Sequence, residues 1–291
     1  MSNLLDGTVI KGLGGVFEVM HDKDTFVCVA PKKLRYGDGE ILVGDKVRFE
    51  VQKGKGVIER IYPRRNRMTR PEVANIDIAF ILLTVAPAPD LLLADKILVN
   101  CFANKITPVI VVSKSDIADE NFSQRIRNNY SSVCDVVTVS SLNGDVSQLL
   151  GYIDGNTVCF AGQSAVGKTS LLNALVPDLN KKVGGLSLKT GRGRHTTRSS
   201  TIYSVGDGFV VDTTGFSMLE VTDTVSSDLM LYYDDMMQLS PQCRYKMCTH
   251  TAEPDCAVKK AVEEGRFCLE RYQRYLTLYN ELAEKEKSRY K

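Results

Sequence analysis

The 291-residue sequence predicts a multidomain fold with three parts. Residues 1–63 alternate short β-type segments with glycine-rich turns, which predicts a small β-barrel. Residues 64–222 alternate apolar strands with helices, which is typical of a doubly wound α/β domain. Residues 223–291 combine a cluster of cysteines and a histidine with a long helical pattern, which predicts a mostly helical metal-binding region. At about 150 residues per domain, the length fits two or three such units.

The composition excludes several classes of protein. Hydrophobic residues make up 43% of the chain and charged residues 25%, which excludes a disordered or collagen-like chain. No apolar segment approaches the ~20 residues that a membrane-spanning helix needs. The first residues lack the basic and apolar regions of a signal peptide. We therefore expect a cytoplasmic protein without a membrane partner, and we expect a monomer.

The candidate barrel is short and basic. Its five candidate strands are residues 8–10, 16–20, 26–29, 46–51 and 56–61. Five strands in so few residues favour an OB-fold, which frequently binds nucleic acid, although a barrel with no such role fits equally well. Residues 1–70 contain 14 Lys and Arg against 9 Asp and Glu, a net charge of +5, so the rest of the chain carries −3. This asymmetry favours a polyanionic partner.

Residues 63–71 separate the barrel from the α/β part. They contain four arginines and no acid between two prolines. Because proline interrupts regular structure and guanidinium groups resist burial, the segment is predicted to be an exposed linker whose arginines contact phosphates.

One segment of the α/β part predicts phosphate binding. Gly162-Gln-Ser-Ala-Val-Gly167-Lys168-Thr169 matches the pattern G-x-x-x-x-G-K-[ST] between a candidate strand (157–161) and a candidate helix (168–175). The glycines allow backbone N–H groups to surround a phosphate, Lys168 adds a positive charge, and Thr169 offers a hydroxyl to Mg²⁺. The alternative is a chance match in a glycine-rich turn. The predicted nucleotide-binding residues here are Gly162, Gln163, Ser164, Ala165, Val166, Gly167, Lys168, Thr169 and Ser170.

Three further segments end candidate strands and together predict a guanine-nucleotide site. Asp212 and Gly215 follow strand 209–211, where they can meet Mg²⁺ and the γ-phosphate. Asp116 follows strand 108–112 and can accept two hydrogen bonds from guanine, which adenine cannot donate. Ser140 and Ser141 end a third strand, where a backbone N–H can meet the guanine O6. Taken singly, the segments of Asp116 and of Ser140 are also compatible with ordinary strand-end loops, but parallel strands bring such loops to one edge. The predicted base-recognition residues are Ser113, Lys114, Ser115, Asp116, Ser140 and Ser141.

The order of these segments along the chain is permuted. The base-recognition segments precede the phosphate-binding segment, whereas ordinary GTPases have the reverse order. A basic loop, residues 181–204, then contains six Lys and Arg, His195 and no acid. In this loop Thr197 is a candidate second magnesium ligand, with a simple solvated loop as the alternative. Because the chain continues from Gly215 directly into the C-terminal region, we expect the nucleotide to move that region relative to the barrel.

The C-terminal cluster predicts a structural metal site. Its pattern is Cys243-x4-Cys248-x-His250-x5-Cys256. Three thiolates and one imidazole complete a tetrahedral Zn²⁺ with no open position, which predicts one structural Zn²⁺ per chain. The alternative is three free buried thiols.

On these motifs the chain closely resembles the RsgA (YjeQ/YloQ) family of ribosome-dependent GTPases. The resemblance covers essentially the whole chain. It depends on the segments beginning at Arg70, Gly162, Gly193 and Asp212 and on the four candidate metal ligands. It implies an OB-fold, a circularly permuted P-loop GTPase domain and a zinc domain. It also implies Mg²⁺-dependent hydrolysis of GTP to GDP, stimulated by the small ribosomal subunit and its rRNA, in late maturation of that subunit.

Two positions depart from common GTPase patterns. Ser113 stands where the family usually has Asn, so its shorter side chain is expected to weaken the bridging contacts made there. Phe216 stands where many GTPases place a Gln that orients the attacking water. The candidate catalytic residues are therefore Lys168 and His195, with a backbone group or a ribosomal group as equal alternatives for orienting the water.

Two other functions remain open from the sequence. One is a nucleic-acid-binding zinc protein with a regulatory nucleotide site. The other is an ATP-dependent kinase or ATPase, against which Asp116 argues because it matches guanine.

Overall fold

The computed structural model describes residues 4–34, 40–52, 54–69, 72–176, 200–212, 220–221 and 224–289. Within these ranges the strands are β1 (Leu4–Leu13), β2 (Val16–His21), β3 (Asp24–Val29), β4 (Lys46–Gln52), β5 (Lys55–Ile61), β6 (Arg67–Thr69), β7 (Glu72–Ala74), β8 (Ile78–Leu83), β9 (Thr107–Val112), β10 (Asp135–Thr138), β11 (Thr157–Ala161), β12 (Thr201–Val205) and β13 (Gly208–Asp212). The α-helices are α1 (Leu91–Ala103), α2 (Glu120–Tyr130), α3 (Ser147–Ile153), α4 (Lys168–Leu175), α5 (Asp234–Leu239), α6 (Ala257–Glu263) and α7 (Leu269–Arg289).

The first five strands form a closed barrel, as predicted. Their order is β1-β2-β3-β5-β4, and β4 pairs back onto β1. The first strand is longer than its predicted core because its two halves have different partners: Leu4–Thr8 pairs with β4 and Thr8–Leu13 with β2. Side chains such as Val9, Val19 and Phe49 are fully buried inside the barrel.

The central sheet has the order β10-β9-β8-β11-β13-β12. Its first five strands are parallel, and β8 is buried at all six positions, which is typical of a sheet covered on both faces. The sixth strand, β12, is antiparallel to β13 and lies where the sequence predicted only a loop. That prediction is wrong for residues 201–204, because a tight turn folds this mostly polar segment back along β13 and buries Ile202.

The barrel and the central sheet are one continuous structure. Strand β12 pairs with β1 at Thr201 and Lys11. Ile10 of the barrel belongs to the same buried cluster as Ile202 and the helix α1. The barrel is therefore joined to the α/β part by backbone pairing and apolar packing as well as by the chain.

The prediction of an exposed linker for residues 63–71 is wrong at Arg64 and Met68, whereas Arg65 and Arg67 are exposed as predicted. Strand β6 pairs with β7, and Met68 is only 7% exposed. The Arg64 side chain is largely buried because Nε and Nη2 bind both carboxylate oxygens of the fully buried Asp45, at 2.7 and 2.8 Å. A guanidinium group tolerates burial when such a two-point contact compensates its charge.

The C-terminal helices pack on the opposite side of α1 from the sheet. We call residues 224–289 the helical region. Val99 of α1 belongs to its core, together with Tyr275 and Leu278 of α7. The predicted long helical stretch is divided between α6 and α7 by a turn at Gly265, which has a φ of 71°. Leu269, the first residue of α7, is 54% exposed.

Candidate functional site

Four predicted segments meet at one edge of the central sheet. They follow the carboxyl ends of the parallel strands β9, β10, β11 and β13. Residues 113–116, 140–141 and 162–169 and Asp212 therefore lie along a single edge, which we call the nucleotide edge. Three other predicted site residues, His195, Thr197 and Gly215, lie outside the described residues.

The segment from Gly162 to Thr169, here the phosphate loop, has a backbone that its glycines permit. Gly162 has a φ of 128°, and a Cβ there would lie 2.6 Å from the Leu82 carbonyl oxygen. Gly167, with a φ of 101°, is the N-cap residue of α4. Ala165 adopts a left-handed φ of 63°, which costs about 1 kcal/mol for a residue with a side chain. The loop is thus held in a conformation that an isolated peptide would rarely adopt.

Lys168 lies inside this loop. Its Nζ donates to the carbonyl oxygens of Gly162 at 2.7 Å and Gln163 at 2.6 Å. Burial lowers the pKa of this ammonium group. Thr169 and Ser170 occupy the exposed first turn of α4. The helix therefore directs its N-terminal N–H groups and two hydroxyl-bearing residues to the same edge.

Ser113 and Lys114 bind the phosphate loop from the neighbouring strand. The buried Ser113 hydroxyl donates to the Val166 carbonyl oxygen at 2.7 Å. Lys114 Nζ donates to the carbonyl oxygens of Ala165 and Ala86, at 2.9 and 2.8 Å. The single Ser113 hydroxyl thus bridges to the loop despite its short side chain.

Asp116 and Ser140 form a second pair at the nucleotide edge. Ser140 Oγ donates to Asp116 Oδ1 at 2.6 Å and thereby orients an exposed carboxylate. Ser140 itself is buried and exchanges backbone hydrogen bonds with Asp145, and Ser141 follows it at the half-buried start of the turn. At the end of β13, burial raises the pKa of the half-buried Asp212.

The four predicted metal ligands come together in the helical region. The ligand atoms of Cys243, Cys248, His250 and Cys256 all lie within 4.8 Å of one another. Cys243 Sγ is 4.0 Å from Cys256 Sγ, and His250 Nδ1 is 3.4 Å from Cys256 Sγ. Two thiolates on one tetrahedral zinc ion are about 3.8 Å apart, so the donor atoms have suitable spacing for one metal ion.

Surrounding residues orient this cluster. Ser240 Oγ lies 3.0 Å from His250 Nε2, which leaves Nδ1 to face the thiols. The Tyr272 hydroxyl donates to the His250 carbonyl oxygen at 2.7 Å. Contacts of this kind fix a ligand's ring and backbone before the metal binds.

The sequence analysis did not identify Glu253 as part of the metal centre. Burial alone would raise its pKa, but hydrogen bonds from Thr249 and Thr251 lower the pKa to about 2. The carboxylate therefore holds the loop that contains His250. The sequence signal for these contacts is an acidic residue within four residues of two threonines.

Comparison with known families assigns the chain. A family model described as RsgA GTPase matches residues 61–222, and one described as RsgA N-terminal domain matches residues 6–58. The chain belongs to the RsgA GTPase family. As a member of this family it is a GTP hydrolase.

Full-length relatives agree with this assignment. A small ribosomal subunit biogenesis GTPase RsgA of Clostridium beijerinckii is 35% identical, with 98% of this chain and 100% of the relative covered. Its namesake from a Geobacillus species is 38% identical, with 97% and 99% covered. RsgA sequences thus align with this chain from the barrel to the helical region.

Solved structures agree on the fold. YjeQ from Thermotoga maritima has a TM-score of 0.80 and 31% identity, covering 96% of this chain and 99% of its own. YloQ, described as a circularly permuted GTPase, has a TM-score of 0.80 and 30% identity, covering 97% and 96%. The permuted order predicted from the sequence is therefore confirmed as an RsgA feature.

A buried ionic cluster between α1 and α7 also escaped the sequence analysis. Asp95 of α1, 1% exposed, lies 2.5 Å from Arg274 Nε of α7. Arg271, 2% exposed, lies 3.4 Å from Asp235 and stacks on the ring of Tyr233. Asp95 is an acid within an otherwise apolar helical pattern, which was the only sequence signal for this cluster.

Among the residues described, no helix combines the length and the apolar character that crossing a bilayer requires.

Proposed function

We propose that this RsgA-family protein binds GTP and Mg²⁺ at the nucleotide edge and hydrolyses GTP to GDP and phosphate on the small ribosomal subunit. The subunit stimulates hydrolysis, and the cycle assists late maturation of that subunit in the cytoplasm. The observation that carries the nucleotide part is the convergence of the four strand-end segments. The ribosomal part is supported by the full-length relatives, which are named small ribosomal subunit biogenesis GTPases.

Each segment has a proposed role. The phosphate loop and Lys168 hold the β- and γ-phosphates, and Thr169 with Thr197 binds Mg²⁺. Asp116, oriented by Ser140, accepts hydrogen bonds from guanine. Asp212 and Gly215 respond to the γ-phosphate, and His195 is the candidate that orients the attacking water. The remaining proposed nucleotide contacts are Ser113, Lys114, Ser115, Ser141, Gly162, Gln163, Ser164, Ala165, Val166, Gly167 and Ser170.

The metal centre is proposed to hold one structural Zn²⁺. Three sulfurs and one imidazole nitrogen match the preference of zinc and leave no position open for a substrate. The Ala257 N–H donates to Cys243 Sγ at 3.3 Å and helps to orient this ligand.

The rRNA contact is proposed for the barrel. Arg64 is bound to Asp45 and is not free for phosphates. Arg60 is exposed and stacks on Tyr62, whereas the neighbouring Arg48 is paired with Asp6 through two hydrogen bonds. An exposed guanidinium group beside an aromatic ring is suited to phosphates and unpaired bases.

Hydrolysis assays test the proposal. GTP and ATP turnover are measured with and without purified small subunits, and subunit binding is measured by pelleting in GDP and in a non-hydrolysable GTP analogue across a salt series. We expect GTP-selective turnover that rises with subunits, and salt-sensitive binding that is tighter with the analogue. The Lys168→Ala variant should lose turnover and most GTP affinity, and Asp116→Asn should shift preference toward xanthosine nucleotides. If the protein binds small subunits equally in GDP and in the GTP analogue, and subunits do not stimulate hydrolysis, only the ribosomal part of the proposal is contradicted.

A further inference from the structure

Gln163 of the phosphate loop binds the start of helix α1. Its side-chain Oε1 accepts a hydrogen bond from the Asp90 backbone N–H at 2.6 Å. Its Nε2 donates to the Ala88 carbonyl oxygen at 2.8 Å. One amide side chain therefore connects the phosphate loop to two points of the turn that enters α1.

The position of this contact matters because Asp90 is the residue that caps α1. Asp90 Oδ1 accepts the Leu93 N–H at 2.9 Å, and the helix begins at Leu91. Capping fixes the direction in which a helix leaves its turn. A displacement of the phosphate loop must therefore either displace the start of α1 or break both Gln163 hydrogen bonds.

The far side of α1 is bound to the helical region. Beyond the buried Asp95–Arg274 pair, Lys96 Nζ lies 2.7 Å from Glu281 of α7. Just before the helical region, the Glu220 carbonyl oxygen accepts a hydrogen bond from Asn100 Nδ2 at 3.2 Å. The same short helix thus contacts the phosphate loop at its first turn and α7 along its length.

Helix α1 is suited to transmit a displacement because it is buried on two sides. Ile97 and Leu98 pack into the core against the sheet, whereas Val99 packs into the core of the helical region. Side chains in such close-packed surroundings cannot absorb a shift independently, so the helix moves as a unit.

We propose that Gln163 is a positioning residue that couples the phosphate loop to the helical region through α1. GTP binding at the loop favours the docked position of the helical region, and docking in turn favours GTP binding by the same factor, as linkage requires. The inference rests on the GTP site of the proposed function and is independent of the ribosomal partner.

A double-mutant cycle on nucleotide affinity tests this coupling. Gln163→Leu removes both hydrogen bonds to the turn, and Arg274→Met removes the partner of Asp95. We expect each single variant to weaken binding of a non-hydrolysable GTP analogue about three- to tenfold. The double variant should bind the analogue with the same affinity as the single variant that binds it less tightly, because both changes break the same connection.

Further variants keep the test decisive. If Arg274→Met does not fold, Glu281→Lys replaces it, because it breaks the Lys96 contact at an exposed position. Arg266→Met is the matched control, since Arg266 pairs with Glu264 inside the helical region and should leave affinity unchanged. The KM of Gln163→Leu for GTP should rise, since the residue positions the loop before chemistry.

Hydrogen exchange supplies the reciprocal measurement. In the wild-type protein the GTP analogue should slow amide exchange in α7, and in Gln163→Leu this protection should be lost although nucleotide still binds at saturation. Provided that the wild-type protein binds GTP normally, two results would overturn the coupling. One is that the losses of affinity in Gln163→Leu and Arg274→Met multiply in the double variant. The other is that α7 keeps its protection in Gln163→Leu. Absence of GTP binding by the wild-type protein would instead overturn the proposed function.

Discussion

The central sheet has two neighbours, and they are attached by different physical means. The barrel is joined through the β1–β12 pairing and a shared apolar cluster that includes Ile10, Val43 and Met68. The helical region is joined through ion pairs in addition to the packing of Val99 into its core. Among the described residues, its ion pairs with the rest of the chain are Asp95–Arg274, Lys96–Glu281, Arg125–Glu270 and Glu220–Lys285.

This difference determines which junction can respond to nucleotide. Backbone pairing and apolar packing have one close-packed arrangement and little dependence on salt. Exposed ion pairs contribute little individually and can exchange partners or water at small cost. We therefore expect the barrel and central sheet to move together and the helical region to be the part that shifts, which remains a prediction.

The largest expected effect is loss of the metal. Cys256→Ser should release zinc and unfold the helical region, because a structural zinc ion contributes about 10 kcal/mol or more of folding free energy. GTP should still bind, within about tenfold of the wild-type affinity, because the barrel and central sheet hold the phosphate loop. Metal analysis, limited proteolysis and GTP-analogue titration measure the three quantities.

Cys268→Ser is the control for this change, since the Cys268 thiol contacts Asn129 and lies outside the metal cluster. It should keep one zinc per chain. Collapse of the barrel and sheet together with the helical region in Cys256→Ser would contradict the division drawn between the two junctions.

The next effect concerns the buried charges of the helical junction. Arg274→Met should destabilise this junction by about 3–5 kcal/mol, because it leaves the Asp95 carboxylate buried without its cation. Burial already raises the pKa of Asp95, so Asp95→Asn should be milder, about 1 kcal/mol. Urea unfolding followed by tyrosine fluorescence compares the two variants. Equal losses would mean that charge does not control this junction.

The barrel junction can be weakened by one methyl group. Gly44 has a φ of 92°, and a Cβ there would lie 2.0 Å from the Ala74 carbonyl oxygen. Gly44→Ala should therefore reduce the free energy of unfolding of barrel and sheet together by about 3 kcal/mol. Gly54→Ala is the matched control, because Gly54 has a similar φ of 79° but open space around it, and should lose about 1 kcal/mol. A barrel that melts separately in Gly44→Ala would show that the junction is weaker than its packing implies.

The smallest effect is that of salt. Raising NaCl from 0.1 to 1 M should weaken the helical junction by about 1 kcal/mol in total, since its exposed pairs are screened. Amide exchange should accelerate in α7 and stay unchanged in β1 and β12. Equal acceleration at both junctions would remove the distinction between them.

Short motifs made much of this protein predictable from sequence. The segment predicted to bind phosphate (Gly162–Thr169), the segment predicted to recognise guanine (Ser113–Asp116) and the Cys/His cluster around His250 each occupy a short stretch of the chain. Because the chemistry of each site restricts both the residue types and their spacing, each pattern can be recognised from the local sequence. Short strands that alternate with glycine-rich turns likewise predicted the barrel, and apolar strands that alternate with helices predicted the central sheet.

Only the tertiary structure determined how these parts are joined. Arg64 was predicted to be exposed and is held by Asp45, 19 residues away; Arg274 pairs with Asp95, 179 residues away. Such pairs leave no periodic pattern in the sequence, because their partners are brought together by folding of the whole chain. For the same reason β12 looked like a loop, since a short polar strand is stabilised by its neighbours β13 and β1 rather than by its own residues. The sequence by itself determined which residues gather at the nucleotide edge and in the Cys/His cluster, and long-range packing determined which other parts of the fold each of them contacts.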